Sequence, residues 1–227
     1  MKRFDIITIF PEILESYFNE SLFKRAQKNK LFVVKTHNLR QWTADRHQTV
    51  DDKPYGGGVG LLFKIEPIYK ALKAIKQKAK TKKVRIILTA ANGKRFTQKD
   101  AVRLAKYDQL IFICPRYEGA DARVEKLVDE KISIGDYVLA GGELPAAVII
   151  EAVCRHLPGF VGKRESVEKE SHATTGYLEH PHYTRPEVFM AGGKKLRVPK
   201  ILLSGHHGEV EKWRRKKSKK QQTAGRD

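Results

Sequence analysis

Cysteine is scarce. Cys114 and Cys154 are the only two in 227 residues, both stand in apolar runs, and neither belongs to a CxxC or a Cys/His ligand spacing. That pattern argues against a disulfide framework or a cysteine-built zinc site and reads as packed thiols of a reducing compartment. Long hydrophobic runs are missing too: nothing approaches the roughly 18 consecutive apolar residues of a membrane span. The start, MKRFDIITIFPEIL, carries no small-residue cleavage site. A cytoplasmic protein with no membrane partner is expected. Acid is under-represented, with 26 Asp and Glu against 45 Lys and Arg, a net charge of +19 and a pI near 9.9. Such a field attracts a polyanion, nucleic acid first, unless the charges share no face. There is no internal repeat. The glycine run YGGGVG (55–60) lacks the Lys-Ser/Thr of a P-loop and the G-x-G-x-x-G spacing, which disfavours a phosphate or dinucleotide cradle. A loop that closes near a substrate fits it better, with Asp51 and Asp52 just before it as solvated acids, or as holders of a basic partner or metal.

What is there is a strand–loop–helix alternation. The spacing predicts strands at Phe4–Phe10, Leu31–Lys35, Arg85–Leu88, Leu110–Cys114 and Ile132–Leu139. It predicts helices at Pro11–Asn29, Ile65–Ala79, Thr97–Tyr107, Ala120–Glu130 and Ala146–His156, with Thr97 as an N-cap. A long polar loop is expected over Thr36–Gly60. This order indicates an α/β protein whose parallel strands end at one edge, where Thr89, Glu118 and Gly141 collect. In open α/β sheets ligands bind outside the carboxyl ends of the strands. The stretch PRYEG (115–119) and the stretch AGGELP (140–145) follow two such strands, so the site is expected there. Beyond Leu157-Pro158-Gly159, segment 161–176 is charged and aperiodic and reads as a linker. Residues 177–227 hold one helical pattern from about His207. The last sixteen residues carry eight basic groups and one acid, a candidate RNA contact or simply a solvated end. The chain thus divides into 1–160, the linker 161–176, and 177–227.

DDKPYGGGVG (51–60), RYEG (116–119), SIGDYVLAGGELP (133–145), HPHYTRPEV (180–188) and LLSGHH (202–207) occur in this order. Together they resemble the bacterial tRNA (guanine-N1-)-methyltransferases of the SPOUT superfamily, from about Phe4 to Trp213. The resemblance implies a SPOUT-type parallel sheet with a C-terminal trefoil knot and a small, mainly helical C-terminal domain that binds tRNA. It implies a homodimer in which one subunit's linker completes the other's site. It also implies methyl transfer from S-adenosyl-L-methionine to N1 of guanosine 37, beside the anticodon, in the anticodon stem-loop of tRNA. Mg2+ is a further implied cofactor, for which the sequence shows no dedicated ligand cluster, so no metal-ligating residues are assigned.

Methylating guanine N1 requires removal of its proton, by a carboxylate base, and stabilisation of charge developing at O6 by a cation. By the resemblance Arg155, in Arg-x-x-Pro-Gly, is the cation. It stands also as a helix-end arginine meeting the dipole. Glu170 stands where the family has aspartate, one methylene longer, with His172 the next candidate base. The cofactor residues implied are Leu88, Thr89, Pro115, Glu118, Ile134, Gly135, Asp136, Tyr137, Val138, Leu139, Gly141, Gly142 and Pro145. Pro115 replaces the family's usual glycine and has no N–H. Tyr183, Arg185, His206 and His207 are RNA-side candidates, with core packing for Tyr183 and helix capping around His206 as the alternatives. A catalytically impaired RNA-binding protein and an rRNA methyltransferase are the alternative functions.

Overall fold

The computed structural model describes residues 1–79, 81, 83–162, 170–174 and 176–220. They fall into two compact units, Met1–Gly162 and Lys163–Asp227.

The first unit is built on five strands. These are β1 (Lys2–Thr8), β2 (Phe32–Asn38), β5 (Val84–Arg95), β6 (Gln109–Ile113) and β7 (Glu130–Ser133), while β3 (Asp51–Asp52) and β4 (Leu62–Phe63) form a separate antiparallel pair. The sheet order is β2-β1-β6-β5-β7 and every pairing is parallel. Alternate residues along each strand serve opposite cores, as a pleat of period two requires. Phe4, Ile6, Leu110, Phe112 and Ile87 face one core with α1 (Glu15–Phe18), α2 (Ser21–Lys28), α4 (Gln98–Leu104) and α5 (Glu143–Cys154). Ile7, Ile111, Ile113, Ile86 and Leu88 face the other with α3 (Ile65–Gln77). Phe4, Phe18, Phe23, Phe32 and Phe160 meet edge-on or tilted in the first core, the geometry that aromatic quadrupoles favour.

Several elements differ from the sequence expectation. The helix expected over 11–29 breaks: Pro11–Leu14 is a 3-10 turn, and Ser21 adopts φ +51° between α1 and α2. The polar stretch 36–60 is not one loop, because β2 continues to Asn38, a 3-10 turn spans Leu39–Trp42 and β3 pairs with β4. Strand β5 runs on to Arg95 with a register shift in which both Thr89 and Lys94 face Ile132. The stretch 89–93 that follows the strand expected at Arg85–Leu88 is therefore an excursion inside a longer strand. The helix expected over 120–130 is only a 3-10 turn, Ala122–Leu127, and β7 ends at Ser133 instead of Leu139. The apolar Val124 and Leu127 of the turn pack into the core shared with α3, and Ile132 of β7 into the other. Thr97 caps α4 through a full capping box with Asp100.

Two buried charges sit beneath the sheet. Lys2 Nζ donates to the carbonyls of Leu104 and Ala105 at 3.0 and 3.2 Å and to that of Tyr107. Burial pushes its pKa down to about 8, against the opposing pull of the nearby Cys154 and Asp108. Asp5 is desolvated, but hydrogen bonds from His37 (2.6 Å), Arg3 (2.6 Å) and Gln109 (2.7 Å) outweigh this and hold its carboxyl below the usual range.

In the second unit β8 (Tyr177–Leu178) pairs with β11 (Lys219–Lys220), and β9 (Val188–Ala191) with β10 (Lys194–Arg197). The helix α6 (His207–Lys217) follows a 3-10 turn at Lys200–Leu203. A mainly helical unit was expected. The strands are two to four residues long, too short to print an alternation. No described residue of this unit is buried. Most of the expected linker, residues 163–169 and 175, lies outside the described residues.

Candidate active site

Strands β1, β5, β6 and β7 end at one edge, and a cleft of about 440 Å³ opens beyond them. Ligand pockets run from roughly 300 to 1,000 Å³. Leu88, Thr89, Pro115, Glu118, Ile134, Tyr137, Val138, Leu139, Gly141, Gly142 and Pro145 line it. Of the residues expected there, Gly135 and Asp136 do not. Gly135 closes a tight turn in which Ser133 Oγ donates to its carbonyl oxygen at 2.8 Å. Asp136 is exposed and ion-pairs with Arg95 at 3.4 Å. In the run 134–139 the turn at Gly135 and Asp136 stands off the cleft, and Ile134 before it and Tyr137, Val138 and Leu139 after it line the wall.

The two loops are fastened to one another. Gly142 N–H donates to Pro115 O at 2.9 Å, and Arg116 and Gly141 form an antiparallel bridge. A Cβ on Gly142 would stand 2.1 Å from Thr89 Oγ1 and 2.7 Å from Cys114 Cα. Only glycine lets the AGGELP loop come this close to β5 and β6. Pro115, which lacks an N–H, thus contributes its carbonyl. Thr89 is buried and donates to Ile113 O at 3.1 Å.

Below the loops lies a group that the sequence reading passed over. Glu143, the first residue of α5, is 1% exposed. Its Oε1 accepts from Thr8 Oγ1 at 2.6 Å and from Arg116 Nε at 3.2 Å. Its Oε2 faces Arg116 Nε at 3.0 Å as an ion pair without hydrogen-bond alignment, and is otherwise unsatisfied. The Arg116 guanidinium lies 4.9 Å from the Phe10 ring centre, a cation–π distance. Through Glu143 the end of β1, the loop after β6 and the start of α5 are tied together. Both residues stood in the quoted motifs, but a contact across 27 residues leaves no local signal. Beside it, burial pushes the Cys114 thiol well up, with the Glu143 charge adding to the shift, so that thiol is not a nucleophile.

Glu118 lines the cleft, and its N–H donates to Leu61 O at 3.1 Å. Gly60, at φ +87°, brings the end of the glycine run so close that a Cβ there would stand 2.4 Å from Glu118 Cγ. The rim adds Lys131 and Glu125, ion-paired at 2.5 Å. Neither was foreseen, since β7 begins at Glu130 rather than Ile132 and ends at Ser133, six residues before Leu139.

Arg155 is the half-buried C-cap of α5, its N–H donating to Glu151 O at 3.2 Å. Glu170 belongs to the second unit, where it is half-buried and its carbonyl accepts from Ala173 N–H at 3.0 Å. His172 has φ +69° and donates its N–H to Tyr177 O at 2.7 Å. Tyr183 is not core: it is 48% exposed, with its ring 6.3 Å from Trp213. Arg185, His206 and His207 are exposed, and His206 is the N-cap of α6 without a side-chain capping bond.

The cleft fits a ligand with one flat part and charged groups: backbone and apolar side chains line it together with the carboxylates of Glu118 and Glu125 and the cations of Arg116 and Lys131, and glycines admit close approach. Among the described residues no set of three carboxylate or imidazole ligands lies at the cleft.

Over residues 1–227 the chain matches the family model described as tRNA (Guanine-1)-methyltransferase TrmD. It is 48% identical over 217 residues to a protein of Dehalococcoides mccartyi, covering 95% of this chain and 85% of that one. It is 48% identical to a Bacillus pumilus protein (96% and 87% covered) and to a Geobacter protein (99% and 88%). All three are named tRNA (guanine-N(1)-)-methyltransferase.

Proposed function

Since the chain belongs to the tRNA (guanine-1)-methyltransferase family, we propose that it transfers the methyl of S-adenosyl-L-methionine to N1 of guanosine 37 of tRNA. The observation that carries this reading is the cleft at the strand ends, lined by the residues of RYEG and AGGELP. When bound, S-adenosyl-L-methionine supplies a methyl already activated by its sulfonium. The chain must bind it, exclude water and make guanine N1 nucleophilic.

Leu88, Ile134, Leu139 and Pro145, which line the cleft, would hold the flat adenine of the cofactor, and the backbone near Tyr137 and Gly141 would supply hydrogen bonds to it. Glu118 faces the ammonium of the methionine part, a charge-assisted contact. Arg155 stabilises negative charge at guanine O6 while the Glu170 carboxylate takes the N1 proton. The N1 electron pair then forms the new N–C bond as the C–S bond breaks, with that pair of electrons leaving on sulfur. Gly135 and Asp136 support the turn rather than the ligand.

The first unit is read as the catalytic domain, with the trefoil knot in the loops that build the cleft. The second unit and its basic end are read as the grip on the anticodon stem-loop. A homodimer is supported by the exposed apolar residues Leu144 and Val148 of α5, beside Ile13 and Tyr17, whose hydroxyl bonds Glu151. In that dimer the linker carries Glu170 to the site of the other subunit.

The test incubates the protein with S-adenosyl-L-methionine and unmodified tRNA bearing guanosines at positions 36 and 37, followed by nucleoside mass spectrometry. 1-Methylguanosine at position 37 is expected, with loss in Glu170→Gln. Product with both proteins moves the base elsewhere, to His172 first. Binding of tRNA without product favours an impaired RNA-binding protein, and product on rRNA fragments alone favours an rRNA enzyme.

A further inference from the structure

The sequence reading assigned no metal ligands, yet the stretch after β8 brings three together. Glu179, His180 and His182 each offer one ligand atom, and the three atoms lie within 4.8 Å of one another. His182 Nε2 is 2.9 Å from Glu179 Oε1, and the two imidazole rings are centred 4.5 Å apart. Pro181 between the histidines fixes the backbone. The Glu179 N–H is tied to Ser171 Oγ at 3.0 Å. His180 Nδ1 lies 3.3 Å from the Pro181 carbonyl. With Nδ1 as donor there, Nε2 carries the lone pair, the arrangement by which metal-bound histidines are oriented.

We propose that Glu179, His180 and His182 form a binding site for a divalent transition ion of the zinc class, outside the methyl-transfer cleft. Two imidazoles and one carboxylate suit zinc, cobalt or nickel and not magnesium. Tetrahedral zinc holds its donors about 3.4 Å apart, so the cluster closes by about an ångström through rotation of side chains that are half-buried or exposed. The fourth position stays open to water. The ion fixes residues 179–182 beside α6, because His180 and Tyr183 both lie 6.3 Å from the Trp213 ring. That ring then reports on the metal.

The experiment titrates the untagged full chain, in a Trp42→Phe background that leaves Trp213 as the one tryptophan, with Co2+ and then Zn2+. One equivalent of Co2+ is expected to give visible d–d absorption and quench Trp213, with Zn2+ displacing it. His180→Ala and His182→Ala should each weaken binding at least tenfold, and Glu179→Gln severalfold, while far-UV circular dichroism stays unchanged. As a substitution of smaller structural consequence, His182→Gln should weaken binding as well. Equal binding by the double His180→Ala/His182→Ala chain, or no saturable binding below about 1 mM metal, overturns the site. Neither readout depends on methyl transfer, so this result and that of the catalytic test stand apart.

Discussion

The two units solve the problem of order in opposite ways. In the first, sheet residues such as Phe4, Ile87 and Phe112 are wholly buried, and even the cleft loops are pinned to each other through Gly142, Arg116 and Glu143. In the second, no described residue is buried, and exposed Phe189, Met190 and Leu196 share a hairpin with Lys194, Lys195 and Arg197. Burial of apolar area is the main stabilising contribution in a small unit. A cleft held by a core is built before its ligand arrives, whereas a surface without a core takes its order from what it binds.

The sharpest way to break that contrast is to remove one aromatic ring from each side. Phe112→Ala, in the central strand, should cost about 3–5 kcal/mol and Phe189→Ala less than about 0.5 kcal/mol, as read from denaturant melts of the whole chain. Comparable losses would show that the hairpin has a core after all. Within the cleft, Gly142→Ala forces a methyl against β5 and β6. About a hundredfold loss of methyl transfer is expected, since displacements near 1 Å cost that much, with cofactor affinity falling in parallel by calorimetry. Glu143→Gln keeps the hydrogen bonds but removes the charge that Arg116 meets, and should raise the KM for S-adenosyl-L-methionine about tenfold, roughly 1.4 kcal/mol. A change in kcat alone would place Glu143 outside cofactor positioning.

On the second unit, Lys216→Gln with Lys217→Gln should weaken tRNA binding severalfold and lower the salt slope of log Kd by about 0.7–0.9 per charge, with no change in melting. A further effect is on pH. Lys2 releases its proton near pH 8 when folded and near 10.5 when unfolded. Between those values the unfolded chain binds more protons, so folding stability should rise with pH across that window. The rise should be absent from Lys2→Met in matched melts.

How far the sequence could be read follows the same division. Runs such as Leu110–Cys114 and Phe4–Thr8 declare buried parallel strands, because both their faces are covered. Their glycine-bearing ends announce a ligand edge, and the ordered motifs name the chemistry. The register shift that folds Ala90–Gly93 out of β5 is set by pairing with β7 forty residues away, and leaves no local trace. The Arg116–Glu143 pair is invisible for the same reason: each is an ordinary polar residue until the loops meet. In the second unit the EHPH stretch has no ligand spacing of a known motif, and only the folded chain brings its three side chains within 4.8 Å.

Both cysteines of the chain are buried in the first unit, and burial raises both thiols. None lies beyond residue 162. A thiol reagent therefore sees the protein only when the sheet comes apart, and is blind to any rearrangement of residues 163–227. The rate of labelling is a built-in clock for opening of the cofactor half alone. It can be run with tRNA bound, free or absent, without a single substitution.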